Sequence, residues 1–471
     1  KPGVIDVTGN NAAGMKLTGT GKVLNNTGAL ISVSGDGATG IWAAGSGVAE
    51  NEGTITVSNA TNGSSGMKAT SGTATNKGTI SVSADGAWGM DAAGGTVVND
   101  TTGIIDLTTA NSVGIYVHSG NGENRGVINF TGENTIGLLA AGGTATNAAD
   151  ITINGTGVVG LYAHGGTVVN ASGKTITFSN GEAAIKVDSG SGRNAGTINV
   201  DGGNLNAILV SGGNASNDGT IELTSSASGS IGMKATAGTA TNNGTITIAS
   251  NAAGMDVSGS GQVANNKTIT VSGANAVGMS ASGGTATNNS NGTITVTGAN
   301  AKGMAASSGT VLNNGTINAT AANTIAMYAN GGTATNGSSG KINTSASSAY
   351  VMLAEGTGTV NNQGTISYSG SGAALQANGA TANNSGIITA TNGTGMAAYG
   401  TASSGGKAVN SGTINASGTN GKGMAAISST VETKVTNAAN GTINVSGSNG
   451  IGMLADGSKA QAVNLGTINV T

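Results

Sequence analysis

The chain has 471 residues, of which 86 are glycine, 8% are charged and 2% are aromatic, and its formal net charge is −3. Collagen is excluded because glycine does not recur at every third position, and intrinsic disorder is disfavoured because Ile, Val and Thr recur at fixed places. The low charge predicts no nucleic-acid partner, and the absence of cysteine excludes a disulfide framework.

No apolar run reaches the length of about 18 residues that a membrane-spanning helix needs, so we expect the chain not to span a membrane. It opens with "GVIDV" and closes with "GTINVT", each part of a repeated pattern. We therefore expect a piece of a longer protein.

The first element of each repeat has the form "GTIxV", as in Gly244 to Ile248. The Ile and the residue two positions later are mostly apolar, whereas the residue between them is nearly always polar. This alternation predicts a short strand, here called the Ile strand, with its Ile and Val facing inward.

The second element has the form "GMxA", as in Gly254 to Val257, and is here called the Met strand. The apolar residue at the Met position and the one two positions later are predicted to face inward. Strict alternation would also turn Lys302 and Lys422 inward, which is too costly for an unpaired charge, so we predict a bend at the glycine before Met. The Met position recurs about every 24 residues and is occupied by Met15, Ile41, Met67, Met90, Ile115, Leu138, Leu161, Ile185, Ile208, Met233, Met255, Met279, Met304, Met327, Met352, Leu375, Met396, Met424 and Met453.

The third element has the form "GTATN", as in Gly238 to Asn242, and always ends in Asn; it is here called the Asn strand. Stacked asparagines can hydrogen-bond to their copies above and below, so we predict an Asn ladder from Asn25 to Asn464, with Asn361 as the member in the repeat of Met352. Asn also tolerates turns with positive φ, which we expect at this corner.

Three short strands in about 24 residues fit one coil of a parallel β-solenoid, in which stacked coils bury one another's faces. We predict an all-β fold with three strands per coil and about 19 to 20 coils. The whole chain, residues 1–471, is expected to form a single domain.

Blocks such as "GTATNNGTITI" and "GTINVSGSNGIGMLADG" resemble the passenger region of Gram-negative autotransporter adhesins, which use type V secretion. The resemblance covers the whole chain. It implies a right-handed parallel β-helix displayed at the outer membrane and cell surface, or released from it. It also implies cell–cell aggregation, attachment or biofilm formation, with partners that are copies of the chain on neighbouring cells or a host or abiotic surface.

The residue after each Met position is predicted to face outward, toward solvent, in every repeat. The candidate binding residues follow the Met positions or lie close to them, on this outward face of the Met strands. Aromatic residues are favoured at contact surfaces, and an apolar patch often marks an interaction site. The alternative is that an exposed strand simply favours such side chains. The candidates are Trp42, Trp88, Tyr116, His118, Leu139, Tyr162 and His164.

Catalysis is not expected. Glycoside hydrolysis requires paired carboxylates about 5 to 9.5 Å apart, and the 20 acidic residues are spread along the repeats. His118 and His164 lie two repeats apart, about 9.6 Å by strand spacing, which is too far for one metal ion. We therefore predict no enzyme activity, no metal and no cofactor. A polysaccharide-binding or polysaccharide-cleaving β-helix and an ice-binding solenoid remain as alternatives.

Overall fold

The computed structural model describes residues 3–59, 63–345 and 350–471. The chain is an all-β parallel solenoid, as the repeats predict, with about 18 turns rather than the expected 19 to 20. Among the described residues, no helix has the length and apolar character needed to cross a membrane. The chain divides into two compact units, residues 1–222 (unit 1) and 223–471 (unit 2), which are described in turn.

Unit 1 contains short parallel strands that follow the order Ile strand, Met strand, Asn strand. In β11, β13, β18 and β20 the Met and Asn strands are continuous. The strands are β1 (Val4–Val7), β2 (Ala13–Leu17), β3 (Lys22–Asn25), β4 (Leu30–Val33), β5 (Thr39–Ala43), β6 (Val48–Asn51), β7 (Thr54–Val57), β8 (Ser65–Ala69), β9 (Thr73–Asn76), β10 (Thr79–Val82), β11 (Trp88–Asn99), β12 (Ile104–Leu107), β13 (Val113–Asn124), β14 (Val127–Phe130), β15 (Ile136–Ala140), β16 (Thr144–Asn147), β17 (Ile151–Asn154), β18 (Val159–Asn170), β19 (Thr175–Asn180), β20 (Ala183–Asn194), β21 (Thr197–Val200), β22 (Asn206–Val210) and β23 (Asn214–Asn217). Strand β24 (Thr220–Leu223) lies at the boundary in the chain.

Unit 2 repeats the same order of strands. They are β25 (Ile231–Ala235), β26 (Thr239–Asn242), β27 (Thr245–Ile248), β28 (Ala253–Val257), β29 (Gln262–Asn265), β30 (Thr268–Val271), β31 (Val277–Ala281), β32 (Thr285–Asn288), β33 (Thr293–Val296), β34 (Lys302–Ala306), β35 (Thr310–Asn313), β36 (Thr316–Ala319), β37 (Ile325–Asn330), β38 (Thr333–Asn336), β39 (Lys341–Thr344), β40 (Tyr350–Glu355), β41 (Thr359–Asn362), β42 (Thr365–Tyr368), β43 (Ala373–Asn378), β44 (Thr381–Asn384), β45 (Ile387–Thr391), β46 (Thr394–Tyr399), β47 (Lys407–Asn410), β48 (Thr413–Ser417), β49 (Lys422–Ile427), β50 (Thr433–Asn437), β51 (Thr442–Ser446), β52 (Ile451–Asp456), β53 (Ala460–Asn464) and β54 (Thr467–Val470).

The core is the inward column of each strand type. In β7, Ile55 and Val57 have no exposed surface, whereas the intervening Thr56 is partly exposed. The next coil repeats this arrangement, because Ile55 pairs with Ile80 in a parallel register. The predicted alternation of the Ile strand is confirmed, and the narrow interior explains why small aliphatic residues dominate the sequence.

The predicted bend in the Met strand is also confirmed, and packing explains why it contains glycine. Ser65, Gly66 and Met67 are consecutive and all buried, so the chain leaves strict alternation at this point. A Cβ on Gly66 would lie 2.7 Å from the carbonyl oxygen of Gly89 and 2.7 Å from Cγ2 of Ile80. The close approach of the next coil therefore leaves little room for a side chain on Gly66, although other coils hold Ala184 or Ala326 at the equivalent position.

The Asn ladder forms in both units. In unit 1, the Nδ2 of Asn25 donates to Oδ1 of Asn51 over 2.8 Å, and Asn51 donates in the same way to Asn76. In unit 2, Asn242 donates to Asn265 over 2.8 Å and also to the carbonyl of Gly244 over 3.2 Å. Each buried amide thus joins its own corner to the next coil.

Two details of the ladder prediction were wrong. The member in the repeat of Met352 is Asn362, not Asn361, because Asn362 pairs in register with Asn336 and donates to Asn384 over 2.7 Å. Within the described residues, the ladder asparagines do not have positive φ. Positive φ occurs instead at asparagines between the Ile and Met strands, such as Asn275 and Asn300, at 59° and 57°.

The column of Ile strands in unit 1 is interrupted between β14 and β17, which are not hydrogen-bonded neighbours. The interruption coincides with Phe130, which occupies a position in register with Leu107 but is larger and only half-buried. Its ring lies so close to Gly137 that a Cβ there would be 3.0 Å away. A cavity of about 580 Å³ opens here, lined by Asp106 and Asp150 among others.

Candidate functional site

The Met strands of unit 1 place the residues that follow the Met positions in one outward column. Parallel register aligns Tyr116 with Leu139, Leu139 with Tyr162, and Tyr162 with Lys186. Tyr116, Leu139 and Tyr162 are each partly exposed. Three consecutive coils therefore present a continuous strip of large side chains.

Trp88 and His118 extend this strip at the end nearer the N-terminus. The ring centroids of Trp88 and Tyr116 lie 4.6 Å apart at an interplanar angle of 70°, which is a favourable edge-to-face arrangement. The ring centroid of His118 lies 3.9 Å from that of Tyr116 and 5.2 Å from that of Trp88. The three rings form one compact cluster.

A buried carboxylate lies within this cluster. The side chain of Asp91 has no exposed surface, yet it belongs to the same outward column, in register with Lys68 and Tyr116. Its Oδ2 lies 2.9 Å from Nζ of Lys68, and its Oδ1 lies 2.9 Å from Nδ1 of His118. The charge of Lys68 and the hydrogen bond with His118 offset part of the cost of burying this carboxylate, whose Oδ2 has no hydrogen-bond partner among the described residues. Burial, and secondarily the Asp91 charge, raise the pKa of Tyr116.

A second polar cluster surrounds Tyr162. Its hydroxyl donates a hydrogen bond to Asp188, whose other oxygen accepts one from Ser211 over 2.5 Å. His164 lies beside this pair, with Nδ1 3.3 Å from the Tyr162 hydroxyl and 3.8 Å from Asp188. Nζ of Lys186 lies 5.2 Å from the ring centroid of Tyr162. Burial and the hydrogen bond to Asp188 raise the pKa of Tyr162, so the phenol remains a neutral donor.

Trp42 is separated from the other candidates. Its column neighbours are Lys16 and Lys68, and Nζ of Lys16 lies 3.8 Å from the indole centroid. The indole Nε1 donates to Oγ1 of Thr70 over 3.0 Å. We therefore define the aromatic patch as the six remaining candidates, which are Trp88, Tyr116, His118, Leu139, Tyr162 and His164.

The corresponding column in unit 2 differs in exposure. Leu353 and Gln376 are 5% and 7% exposed, and Ala397 and Ala425 are 1% and 2% exposed. Our interpretation that the whole column faces solvent was wrong for these coils. A position that faces away from the core can still be covered by neighbouring segments, and repeat spacing alone does not reveal this.

Sequence reasoning missed the acidic partners Asp91 and Asp188. The recognisable pattern is an acidic residue about one repeat away from an aromatic or His residue of the Met strand. The same arrangement recurs in unit 2, where the Tyr328 hydroxyl donates to Glu355 over 2.7 Å. No group of three or more His, Cys, Asp or Glu side chains that could hold a metal ion occurs within residues 3–59, 63–345 and 350–471.

The comparison with protein families identifies the class of this solenoid. The chain belongs to the family described as the BigA third pectate lyase-like domain, whose model matches residues 1–122, 158–333 and 322–437. No curated protein matches the chain. The family agrees with the parallel β-helix predicted from the repeats.

Proposed function

We propose that this chain is a non-catalytic adhesin, displayed on the surface of a Gram-negative bacterium as the passenger of an autotransporter. It mediates cell–cell aggregation or attachment to a host or abiotic surface, and so supports biofilm formation. The observation that carries this proposal is the aromatic patch, in which the partly exposed Tyr116, Leu139 and Tyr162 lie on three consecutive coils, on the face of the Met strands that points away from the core.

The chemistry of the patch suits contact rather than catalysis. Asp91 is held between Lys68 and His118, and Asp188 accepts hydrogen bonds from Tyr162 and Ser211. Both carboxylates are thus paired with fixed partners. The aromatic rings beside them present rigid apolar surface to a partner. Such residues commonly dominate contact energy, at about 2 kcal/mol or more each. Many copies on two cells would add these contacts by multivalency.

The test is aggregation of cells that display the chain. Aggregated cells settle from suspension. We expect the combined variant Tyr116→Ser, Leu139→Ser and Tyr162→Ser to reduce this settling strongly when cells display equal amounts of the chain. The matched control changes the outward face of the Ile strands in the same unit, as Thr152→Ala, Thr177→Ala and Asn199→Ala, and should aggregate normally. Normal settling of the Ser variant together with loss in the Ala variant would assign adhesion to the other face.

The family description supplies the alternative, a polysaccharide-cleaving β-helix. Incubation of the purified chain with polygalacturonate and a panel of neutral polysaccharides tests it. We expect no new reducing ends and no unsaturated products. Product release that a surface variant abolishes would replace the adhesin proposal with an enzyme.

A further inference from the structure

A recess in unit 2 lies on the outward face of its Met strands. Parallel register aligns Asp256 with Ser280, Ser280 with Ala305, and Ala305 with Tyr328. Because the two central residues are small, the column is interrupted between the carboxylate and the phenol ring. A cavity of about 300 Å³ opens there, with Lys302 also in its lining.

The tyrosine wall of the recess is fixed in position. The Tyr328 hydroxyl donates to Oε2 of Glu355 over 2.7 Å, and burial, followed by this hydrogen bond, raises the pKa of Tyr328 to about 12. The ring is therefore neutral near pH 7. The floor is apolar, since the partly exposed Ala305 lies in it beside the ring.

Polar groups surround this apolar floor. Oδ1 of Asp256 accepts a hydrogen bond from Ser280 over 2.5 Å. Nζ of Lys302 lies 5.4 Å from the Tyr328 centroid, and no carboxylate forms an ion pair with it among the described residues. The rim also includes Ser307. The recess thus offers an ammonium, a carboxylate and hydroxyl groups around an aromatic wall.

We propose that this recess binds one neutral pyranose unit of a glycan, a hexose or an N-acetylhexosamine. Its volume is at the lower end of the range for small-molecule sites, about 300 Å³ and upward, which suits a single ring. The C–H face of a sugar matches the tyrosine and alanine surface, and its hydroxyls match the donors and acceptors at the rim. The ammonium of Lys302 and the carboxylate of Asp256 offset one another, so no net positive charge remains to compensate the cost of desolvating the carboxylate of an acidic sugar.

The site is separate from the aromatic patch, so it adds a ligand to the proposed adhesin rather than explaining aggregation. The test is a calorimetric titration of the purified chain with neutral monosaccharides and with galacturonate. We expect saturable binding of a neutral sugar and weaker binding of galacturonate. Ala305→Leu should fill the recess and weaken binding about tenfold or more. Leucine suits this column, because Leu353 occupies it next to Tyr328.

A second pair of variants keeps the test valid if Ala305→Leu disturbs folding. Lys302→Ala should weaken sugar binding, whereas Lys422→Ala should not, since Lys422 holds the same position before its Met and lies outside the recess lining. Any of three results would overturn the site. The chain could fail to bind a neutral sugar, it could bind galacturonate equally strongly, or the folded Ala305→Leu and Lys302→Ala variants could bind the sugar as well as wild type does. Cell aggregation should be unaffected by these variants, which separates this site from the proposed adhesive function.

Discussion

Asn288 and Asn289 are adjacent residues in different environments. Asn288 is fully buried, donates to Asn313 over 2.8 Å and accepts from Asn265 over the same distance. Asn289 is partly exposed and donates to Asn266 over 2.7 Å, in a short outer ladder. The two residues therefore separate the effect of burial from that of amide stacking.

Asn288→Leu should lower the free energy of unfolding by about 1 to 3 kcal/mol, because it leaves the amides of two neighbouring coils without a buried partner. Asn289→Leu should cost about 0.5 kcal/mol or less, since water can replace its hydrogen bonds. Urea denaturation of both variants measures the difference. Equal losses would mean that the inner ladder contributes no more than the outer one.

Glu50 gives unit 1 a pH-dependent contribution to stability. Hydrogen bonds from Lys22, and then from Lys77 over 3.0 Å, hold the pKa of Glu50 below its usual value of 4.5. A lowered pKa in the folded state stabilises the fold above the unfolded pKa, and this stability is lost as the pH falls through the folded value. The stability advantage of the wild type over Glu50→Gln should therefore be complete at pH 7 and decline below about pH 4.5. Thermal melts across this range measure it, and an advantage that grows on acidification would contradict the ion-pair assignment.

The sequence identified the candidate rings but not the charges beside them. Tyr116 and Tyr162 could be placed in one column because the Met spacing fixes their coils. The pairing of His118 with Asp91 depends on side-chain directions across a coil and could not be derived from spacing. The ladder error at Asn361 has the same origin, since two adjacent asparagines satisfy the pattern and only the register chooses Asn362.

At the scale of the strand, β27 tests the alternation of the Ile strands. Ile246 has no exposed surface, and the next residue, Thr247, is partly exposed. Ile246→Asp should cost at least about 3 kcal/mol, because it removes apolar packing and buries an unpaired carboxylate. Thr247→Asp should change stability by about 0.5 kcal/mol or less. Thermal denaturation of the two variants is the measurement, and similar shifts would refute the assigned faces.

The bend in the Met strand gives a second test at this scale. Gly66→Ala should destabilise by about 1 to 3 kcal/mol, because its Cβ would meet the backbone of the next coil. Gly19→Ala is the matched control, since no atom lies within 4 Å of the Cβ position there. Chemical denaturation should separate the two. If Gly66→Ala were tolerated as well as Gly19→Ala, the glycine of the bend would serve no packing purpose.

Strand types and faces were predictable because each follows from a period of two within a repeat. The interruption between β14 and β17 was not, because Phe130 fits the apolar pattern as well as Val or Leu does. Phe178 holds the same position in β19, where it is fully buried and the column continues on both sides, so the residue type alone does not predict an interruption. The burial of the outward residues of unit 2, such as Leu353 and Gln376, was likewise not predictable from the repeat spacing.

At the scale of the whole molecule, repetition and variation have separate roles. Neighbour contacts between coils supply stability, so the inward columns remain nearly uniform. The outward columns are free to differ, and they concentrate rings in the aromatic patch of unit 1 and leave a recess at Ala305 in unit 2. This division explains how a repeat of small and mostly uncharged residues can carry distinct binding surfaces.

The adhesive role of the aromatic patch is tested most directly with beads coated with the purified chain, which remove every other cell-surface component. Wild-type beads should cluster, and clustering should increase with coating density because the contacts are multivalent. Beads coated with the Tyr116→Ser, Leu139→Ser and Tyr162→Ser variant, folded as judged by its thermal midpoint, should stay dispersed, whereas the Thr152→Ala, Thr177→Ala and Asn199→Ala variant should cluster like wild type. Equal clustering of all three preparations, or dispersed wild-type beads, would contradict self-association through the aromatic patch.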